Sequence, residues 1–435
     1  MSAAPGPAAE AVQIAADLIR FDTSNYGDGR GPGERAAAGH VAALLREVGI
    51  EPVLFESAPG RTSVVAHWGD RTSNRGGLLL HGHLDVVPAE AADWRFDPFG
   101  GVIDDGFLYG RGAVDMKDFL GMMLSVVRDR ARTGRIPDRP ITLAFTADEE
   151  AGGKFGAHWL VDEHSSLFDG CTEAVGEIGG FSTFVADRRL YLIESGEKGI
   201  AWVHFESEGT AGHGSMRQPD NAVEHLVKAL GRVAATRWPA DPGPTMQALL
   251  HTVRELSGVD NDDPDVILAE TGPTARMLSA AIRNNTNVTM LDAGYKHNVV
   301  PGSAAAAVDG RFLPGQQEQF LEELDRLAGE EATVTVRRTF IDRAVEYPFE
   351  GRAVDAMREA LRIHDPEAAV APYLVSGGSD AKAWDRLGIR CYGFVPLPSP
   401  PSEDFTALFH GVDERVSVAA LEAGSLIFDT FLDLC

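Results

Sequence analysis

LAFTADEEAGG, residues 143–153, begins as a strand and ends as a cluster of charge: Leu143 to Thr146 are strand-like, and Asp148, Glu149 and Glu150 follow before two glycines. An isolated acidic triplet is usually a solvated loop. Three like charges delivered at the end of a buried strand call for a partner, and the surrounding chain decides which.

Short aliphatic or β-branched runs lie on both sides of the triplet, at TSVVAHW (62–68), GLLLHGHLDVV (77–87), ITLAFTA (141–147) and TEAVGE (172–177). Helical segments separate them, among them MKDFLGMMLSVVRDRA (116–131) and the stretch in which Val41, Leu44, Leu45 and Val48 recur at helical spacing before Gly49. This alternation predicts an α/β fold around a central mixed, largely parallel sheet. In such sheets ligands sit beyond the carboxyl ends of strands, where the triplet lies.

After Glu194 the pattern changes to strand GIAWVHFESEG, helix NAVEHLVKALGRVA, strands NVTMLDAG and AAAAVDGRF, helix QQEQFLEELDRLAG and strand ATVTVRRTF. This βαββαβ order is ferredoxin-like. It predicts an inserted α+β domain over residues 195–340, dividing a catalytic domain into residues 1–194 and 341–435. The segment Asp241 to Thr274, rich in Pro and Asp, reads as loop with one helix.

A chain of 435 residues suits two domains, and 44% hydrophobic with 24% charged residues is ordinary for a folded protein. The 39 basic against 65 acidic residues give a net charge of -26, which repels phosphate backbones and anionic lipids. No nucleic-acid or membrane partner is expected, and no window has the apolar length of a membrane span. Three scattered cysteines, Cys171, Cys391 and Cys435, exclude a disulfide framework. Without a basic apolar leader at its start, the chain reads as cytoplasmic.

Four further stretches carry candidate chemistry. In HGHLDVVP, His83 and Asp85 share one strand face, so a carboxylate accompanies an imidazole in the way metal-bound histidines need; His81, on the same face, reads as a core histidine. DGFLYGRGAVDMKD has glycines around Arg111 and ends at Asp115, where a helix should start; it lacks the lysine and hydroxyl of a phosphate loop. VGEIGG places Glu177 at a strand end, and FHGVDER offers His410. Imidazoles suit transition metals and carboxylates can bridge two ions.

GHLDVVP, LYGRGAVDMK, ADEEAGG, the single glutamate before GG, and the late HG with Glu414 following resemble, in this order, the M20 family of cocatalytic metallopeptidases and amidohydrolases, which includes aminoacylases, glutamate-type carboxypeptidases and dipeptidases. The resemblance spans nearly the whole chain. It implies a zinc-peptidase-like catalytic domain with an inserted lid or dimerisation domain, and a homodimer. It implies two divalent ions, zinc first with cobalt or manganese also accepted: His83 and Glu150 on one, Glu177 and His410 on the other, and Asp115 between them. Asp85 would hold His83 from behind, and Glu149 would be the general base. From the lid, His213 would hold the oxyanion, often at a partner's site. Asn298 and Arg311 would contact the carboxylate of a small amide or peptide substrate, and Gly378 would line its pocket. Asp118 stands where the family commonly has glycine and adds a carboxylate at a helix start, a position the helix dipole favours.

Two alternatives remain in view: a serine hydrolase using Ser379 of GGSDA, which lacks the second glycine of a nucleophile elbow, and a metal-loaded scaffold of the same fold without turnover.

Overall fold

The strand that carries His83 lies at the centre of the molecule. In a computed structural model describing residues 6–329, 333–401 and 404–435, Gly77–His83 runs parallel to Ile141–Thr146 on one side and to Cys171–Gly176 on the other. Every residue of Gly77–His83 and Ile141–Thr146 is buried, which is why both read as continuous apolar runs instead of alternating ones. Arg390–Gly393 continues the parallel part beside Cys171–Gly176. Outside it, Arg61–Trp68 and Pro52–Ala58 add antiparallel strands at one edge. Towards the other edge, Arg188–Glu197 pairs in parallel with Ala369–Val375 and antiparallel with Val345–Glu346. The sheet is therefore mixed, with its parallel strands at the centre.

The helices Pro7–Ile19, Lys117–Thr133 and Val418–Leu434 pack together, with Phe119 edge-on to Phe428 at 5.4 Å. Lys117–Thr133 stops at Gly134, whose φ of 73° is the left-handed conformation that closes a helix and that glycine adopts without a Cβ clash.

The lid has the expected βαββαβ order. Its strands are arranged Asn285–Ala293, Ser303–Phe312, Gly199–Glu208, Val334–Asp342, all antiparallel; Ala332, the start of the last strand expected from sequence, lies outside the described residues. Along Gly199–Glu208, Ala201, Val203 and Phe205 are buried in a second core with the helices Ala222–Ala235 and Gln317–Ala328. Ile200, Trp202 and His204 alternate onto the opposite face.

The segment Asp241 to Thr274 is not mainly loop. Helices span Pro244–Ser257 and Pro264–Ala269, with Ala275–Ala280 just after, and Met246, Leu249, Val253, Ile267 and Leu268 pack into the main core. The prolines that resemble breakers occupy first-turn positions, where the missing N–H costs nothing. Asp263 caps the second helix by accepting from the Asp265 N–H at 3.0 Å.

At the crossing between sheet and lid, the Lys198 ammonium donates to the carbonyls of Ala280 and Arg283 at 3.0 and 2.6 Å, and Lys382 donates to the Lys198 carbonyl at 2.9 Å. Among the described residues no helix is long and apolar enough to cross a membrane. The three cysteines are free.

Candidate active site

Three neighbouring parallel strands end at one place. His83 is the last residue of the middle strand, Glu177 follows Cys171–Gly176, and Glu149 and Glu150 form a short turn after Ile141–Thr146. Asp115 arrives from the turn before helix Lys117–Thr133, and His410 from an exposed loop ahead of the strand Arg415–Ser417. Parallel register alone thus gathers residues about 30 to 90 positions apart.

The contacts divide into two halves around one carboxylate. Asp115 Oδ1 is 3.0 Å from His83 Nε2, and Asp115 Oδ2 is 3.1 Å from His410 Nε2. His83 Nε2 also lies 3.3 Å from Glu177 Oε2, and His410 Nε2 lies 3.2 Å from Glu150 Oε2. The closest glutamate partners are therefore exchanged relative to the expected pairing, because Glu177 and His83 end adjacent strands while His410 reaches over Glu150. Glu149 Oε2 stands 4.0 Å from His83 Nε2, and among the described residues no protein group donates a hydrogen bond to its carboxylate.

Asp85 supports the site differently from the expected arrangement. Its backbone carbonyl meets His83 Nδ1 at 2.9 Å, while its carboxylate lies 3.8 Å from that nitrogen. A proton on Nδ1 leaves Nε2 as the lone-pair donor facing the carboxylates. The Asp85 carboxylate instead accepts the N–H groups of Glu149 and Glu150, both at 3.1 Å, and the Asn25 amide at 2.9 Å. The chain turns back on itself here, bringing the Asp85 carboxylate under the glutamate turn and not beside the ring.

A polar framework that the sequence did not reveal completes the turn. Asp148, at a left-handed φ of 67°, accepts from Asn25 at 3.1 Å and from the Phe155 N–H at 2.9 Å. Arg61 donates to Asn25 at 2.8 Å and pairs with the buried Glu34. Glu414 is wholly buried and receives Arg111 at 2.7 Å, with the N–H groups of Gly112, Val114 and Asp115 at 3.0, 2.8 and 3.1 Å. It ties down the glycine-rich turn that presents Asp115. No local pattern marks Asn25 or Arg61, since their partners are distant in sequence.

His81 is a core residue: burial pushes its imidazole down to about 3, and a Cβ at Gly176 would come within 2.3 Å of its ring. Asp118 is buried, unlike the charged helix start expected. Its Oδ1 accepts the Phe119 N–H at 2.8 Å, its Oδ2 has no hydrogen-bond partner among the described residues, and burial raises its carboxyl well above the usual range. Lost solvation is the largest cause of that rise and disfavours the charged form there.

Charge in the pocket is heavily perturbed. Burial raises Glu149 well above an ordinary glutamate, with the neighbouring Glu177 adding to it, and takes Glu177 itself up to about 8. Although burial opposes its charge, His83 is driven well above the ordinary imidazole value by Glu177 and Asp115. Hydrogen bonds to Asp115 and Glu150 take His410 up to about 10. Two imidazoles and four carboxylates facing each other in a low dielectric form a donor set for transition-metal cations, and His83 groups with Glu149 and Glu177 and with Asp115 and Glu150 at ligand spacing.

A cavity of about 250 Å³ opens between this cluster and the lid, lined by Glu149, Glu150 and His410 on one side and by Arg311, Gly378 and lid aromatics on the other. A Cβ at Gly378 would sit 2.6 Å from the Lys382 ammonium, so a side chain there would displace the end of that lysine. Ser379 donates its hydroxyl to the Glu197 carboxylate, and no histidine hydrogen-bonds it among the described residues, so the serine-hydrolase reading lacks its base. His213 and Asn298 are apart from this cavity. They sit together on the exposed side of the lid, where Gly212–His213 pairs with Val299–Val300 and the Gly214 N–H meets the Asn298 carbonyl at 2.9 Å.

Comparison with known proteins places the chain in a family. The chain is 30% identical over 366 residues to N-fatty-acyl-amino acid synthase/hydrolase PM20D1 of Homo sapiens, covering 79% of this chain and 71% of that one. It is 26% identical over 411 residues to aminoacylase-1 of Sus scrofa, covering 92% and 90%. Its fold matches the M20 family metallo-carboxypeptidase Sso-CP2 from Sulfolobus solfataricus with a TM-score of 0.72 at 17% identity, over 98% of this chain and 99% of that one. Residues 79–433 match the description Peptidase family M20/M25/M40, and the chain belongs to that family as a hydrolase of amide or peptide bonds in small substrates.

Proposed function

We propose that this enzyme is a two-metal amidohydrolase of small substrates with a free carboxylate, such as N-acyl amino acids or dipeptides. The observation that carries the reading is Asp115, whose two oxygens each face a different histidine, each histidine having its own glutamate. His83 with Glu177 and His410 with Glu150 would hold one divalent ion each, zinc foremost, with Asp115 shared. Such a pair of ions, when bound, supplies Lewis acidity and lowers the pKa of a water between them.

The chain's residues then divide the work. Glu149, held by no protein donor among the described residues and hung from a turn anchored at Asp85, takes a proton from the attacking water. The water oxygen bonds to the amide carbon. Glu149 returns the proton to the leaving nitrogen as the C–N bond breaks, releasing a carboxylic acid and an amine. Arg311 orients the substrate through its carboxylate, a paired charge suited to a guanidinium fork. Turnover of N-acyl amino acids and dipeptides before chelation, after it and on metal return tests the reading. Activity should vanish and come back, and should drop when the substrate's carboxylate is methylated. Full activity on the methylated series would refute the carboxylate requirement.

The exposed position of His213 and Asn298 supports a homodimer in which they complete the site of a second copy. The lid edge strand Asn285–Ala293 is unpaired on one side among the described residues and displays Met290 and Leu291, each more than 60% exposed, so it offers a surface for such pairing. Mixing Glu149→Gln and His213→Ala proteins under exchange conditions should restore activity, because a mixed dimer holds one site with neither change. A mixture no more active than its parts would refute action across the dimer.

A further inference from the structure

The cavity between the metal-ligand cluster and the lid has one wall that the hydrolytic chemistry does not require. On the lid sheet's cleft side, Trp202 and Phe340 stack with ring centroids 4.9 Å apart at 38°, and both line the cavity together with Ile200. Trp202 remains 42% exposed. An aromatic pair left open inside a substrate cleft is apolar surface that none of the described residues covers.

Strand register places this wall beside the carboxylate-binding group. Ile200 pairs with Arg311 and Asp342, and Trp202 pairs with Asp309 and Phe340, so the two rungs are neighbours on one face. Rungs two residues apart are separated by about 7 Å. Arg311 is held from behind by Asp309, whose oxygens take its Nε and one Nη2 hydrogen at 2.7 and 3.0 Å. The Nη1 side of the guanidinium has no protein partner among the described residues, which leaves an edge for a substrate carboxylate. An α-substituent on a carboxylate bound there lies within one rung of the ring pair.

The local charge selects what that substituent is. Aspartates beside an aromatic pair would attract a basic side chain through ion pairing and cation–π contact. Here both are already matched within the chain: Asp309 by Arg311, and Asp342 by the Lys382 ammonium at 3.7 Å. The wall is left to apolar contact.

Resting on the proposed amidohydrolase reading, we infer that Trp202 and Phe340 form the specificity subsite for the amino-acid half of the substrate and select large apolar side chains, aromatic or branched aliphatic, at the carbon bearing the free carboxylate. They are specificity-determining residues, distinct from the groups that move protons.

The test uses binding as well as turnover. Metal-loaded Glu149→Gln protein is titrated calorimetrically with N-acetyl-L-phenylalanine, N-acetyl-L-leucine, N-acetyl-L-lysine and N-acetylglycine, and wild-type kcat/KM is measured on the same four. The phenylalanine and leucine compounds should exceed the glycine compound by roughly 10–100-fold in both readouts, the worth of burying one large apolar side chain. Trp202→Ala and Phe340→Ala should collapse that ratio, and Trp202→Phe should preserve most of it. Trp202 is outside both cores, so its truncation does not threaten folding, and circular dichroism verifies this. Equal binding of all four compounds, tighter binding of the lysine compound, or a ratio unmoved by Trp202→Ala would overturn the inference. If wild type turns over none of the four while the binding ratio and its loss in Trp202→Ala persist, the subsite stands and the amide-hydrolysis reading fails instead.

Discussion

Glu149→Gln protein is expected to bind its metal ions normally and to lose turnover by a factor on the order of 10²–10⁴, the usual contribution of a positioned general base. Glutamine keeps the size of the side chain and the backbone N–H that Asp85 accepts at 3.1 Å, so the turn should survive. What disappears is an atom able to take a proton from water and return it to the leaving amine. Glu149 suits this work because its carboxylate faces the cleft beside His83 with no protein donor among the described residues, and burial with the facing Glu177 raises its carboxyl well above the ordinary value, which strengthens it as a base. Metal content by elemental analysis and kcat on an N-acyl amino acid check the two halves of the expectation. A variant that keeps near wild-type kcat would remove Glu149 from the mechanism; one that loses its metals would recast it as a ligand.

Asp115→Asn protein should fail earlier, at metal uptake. The amide nitrogen that replaces one oxygen donates and cannot ligate, so one of the two halves loses its shared oxygen, and with it the anion that both cations need. Affinity should fall by more than the roughly 10–100-fold typical of residues that only support a ligand, and activity should fall to background. Uptake by the native chain should also depend on pH with a defined sign. His83 lies well above its ordinary value, His410 is taken up to about 10 and Glu177 up to about 8, so at neutral pH protons hold atoms that a metal must take. Binding therefore releases protons, and affinity rises as pH rises from 6 to 8. Equilibrium dialysis at both pH values, with proton release followed by calorimetry in buffers of different ionisation enthalpy, measures both effects. An Asp115→Asn protein that retains two ions, or an affinity indifferent to pH, would contradict this arrangement.

Much of the site was legible because its elements are local. A buried strand ending in ADEEAGG, another ending in HGH, and a third ending in VGE each announce an acid or an imidazole at a carboxyl end. Parallel pairing then brings those ends together without further information. The lid was legible in the same way, since alternation with a period of two and helices with a period of 3.6 residues survive in any context. Expectation and structure part where position outweighs composition. The Pro- and Asp-rich segment Asp241 to Thr274 reads as loop with one helix, yet Pro244 and Pro264 start helices there, and Asp118 reads as a charge at a helix start, yet it is enclosed.

The sequence by itself determined the α/β class, the βαββαβ order of elements in the second sheet, and which side chains stand at strand ends, because these follow from patterns a few residues long. Only the tertiary structure decided that His83 faces Glu177 and His410 faces Glu150, that the Asp85 carbonyl and not its carboxylate meets the ring, and that Trp202 and Phe340 look into the cleft beside Arg311. Those outcomes depend on strand register and chain reversal across tens to hundreds of residues, where a shift of one position turns every side chain to the other face.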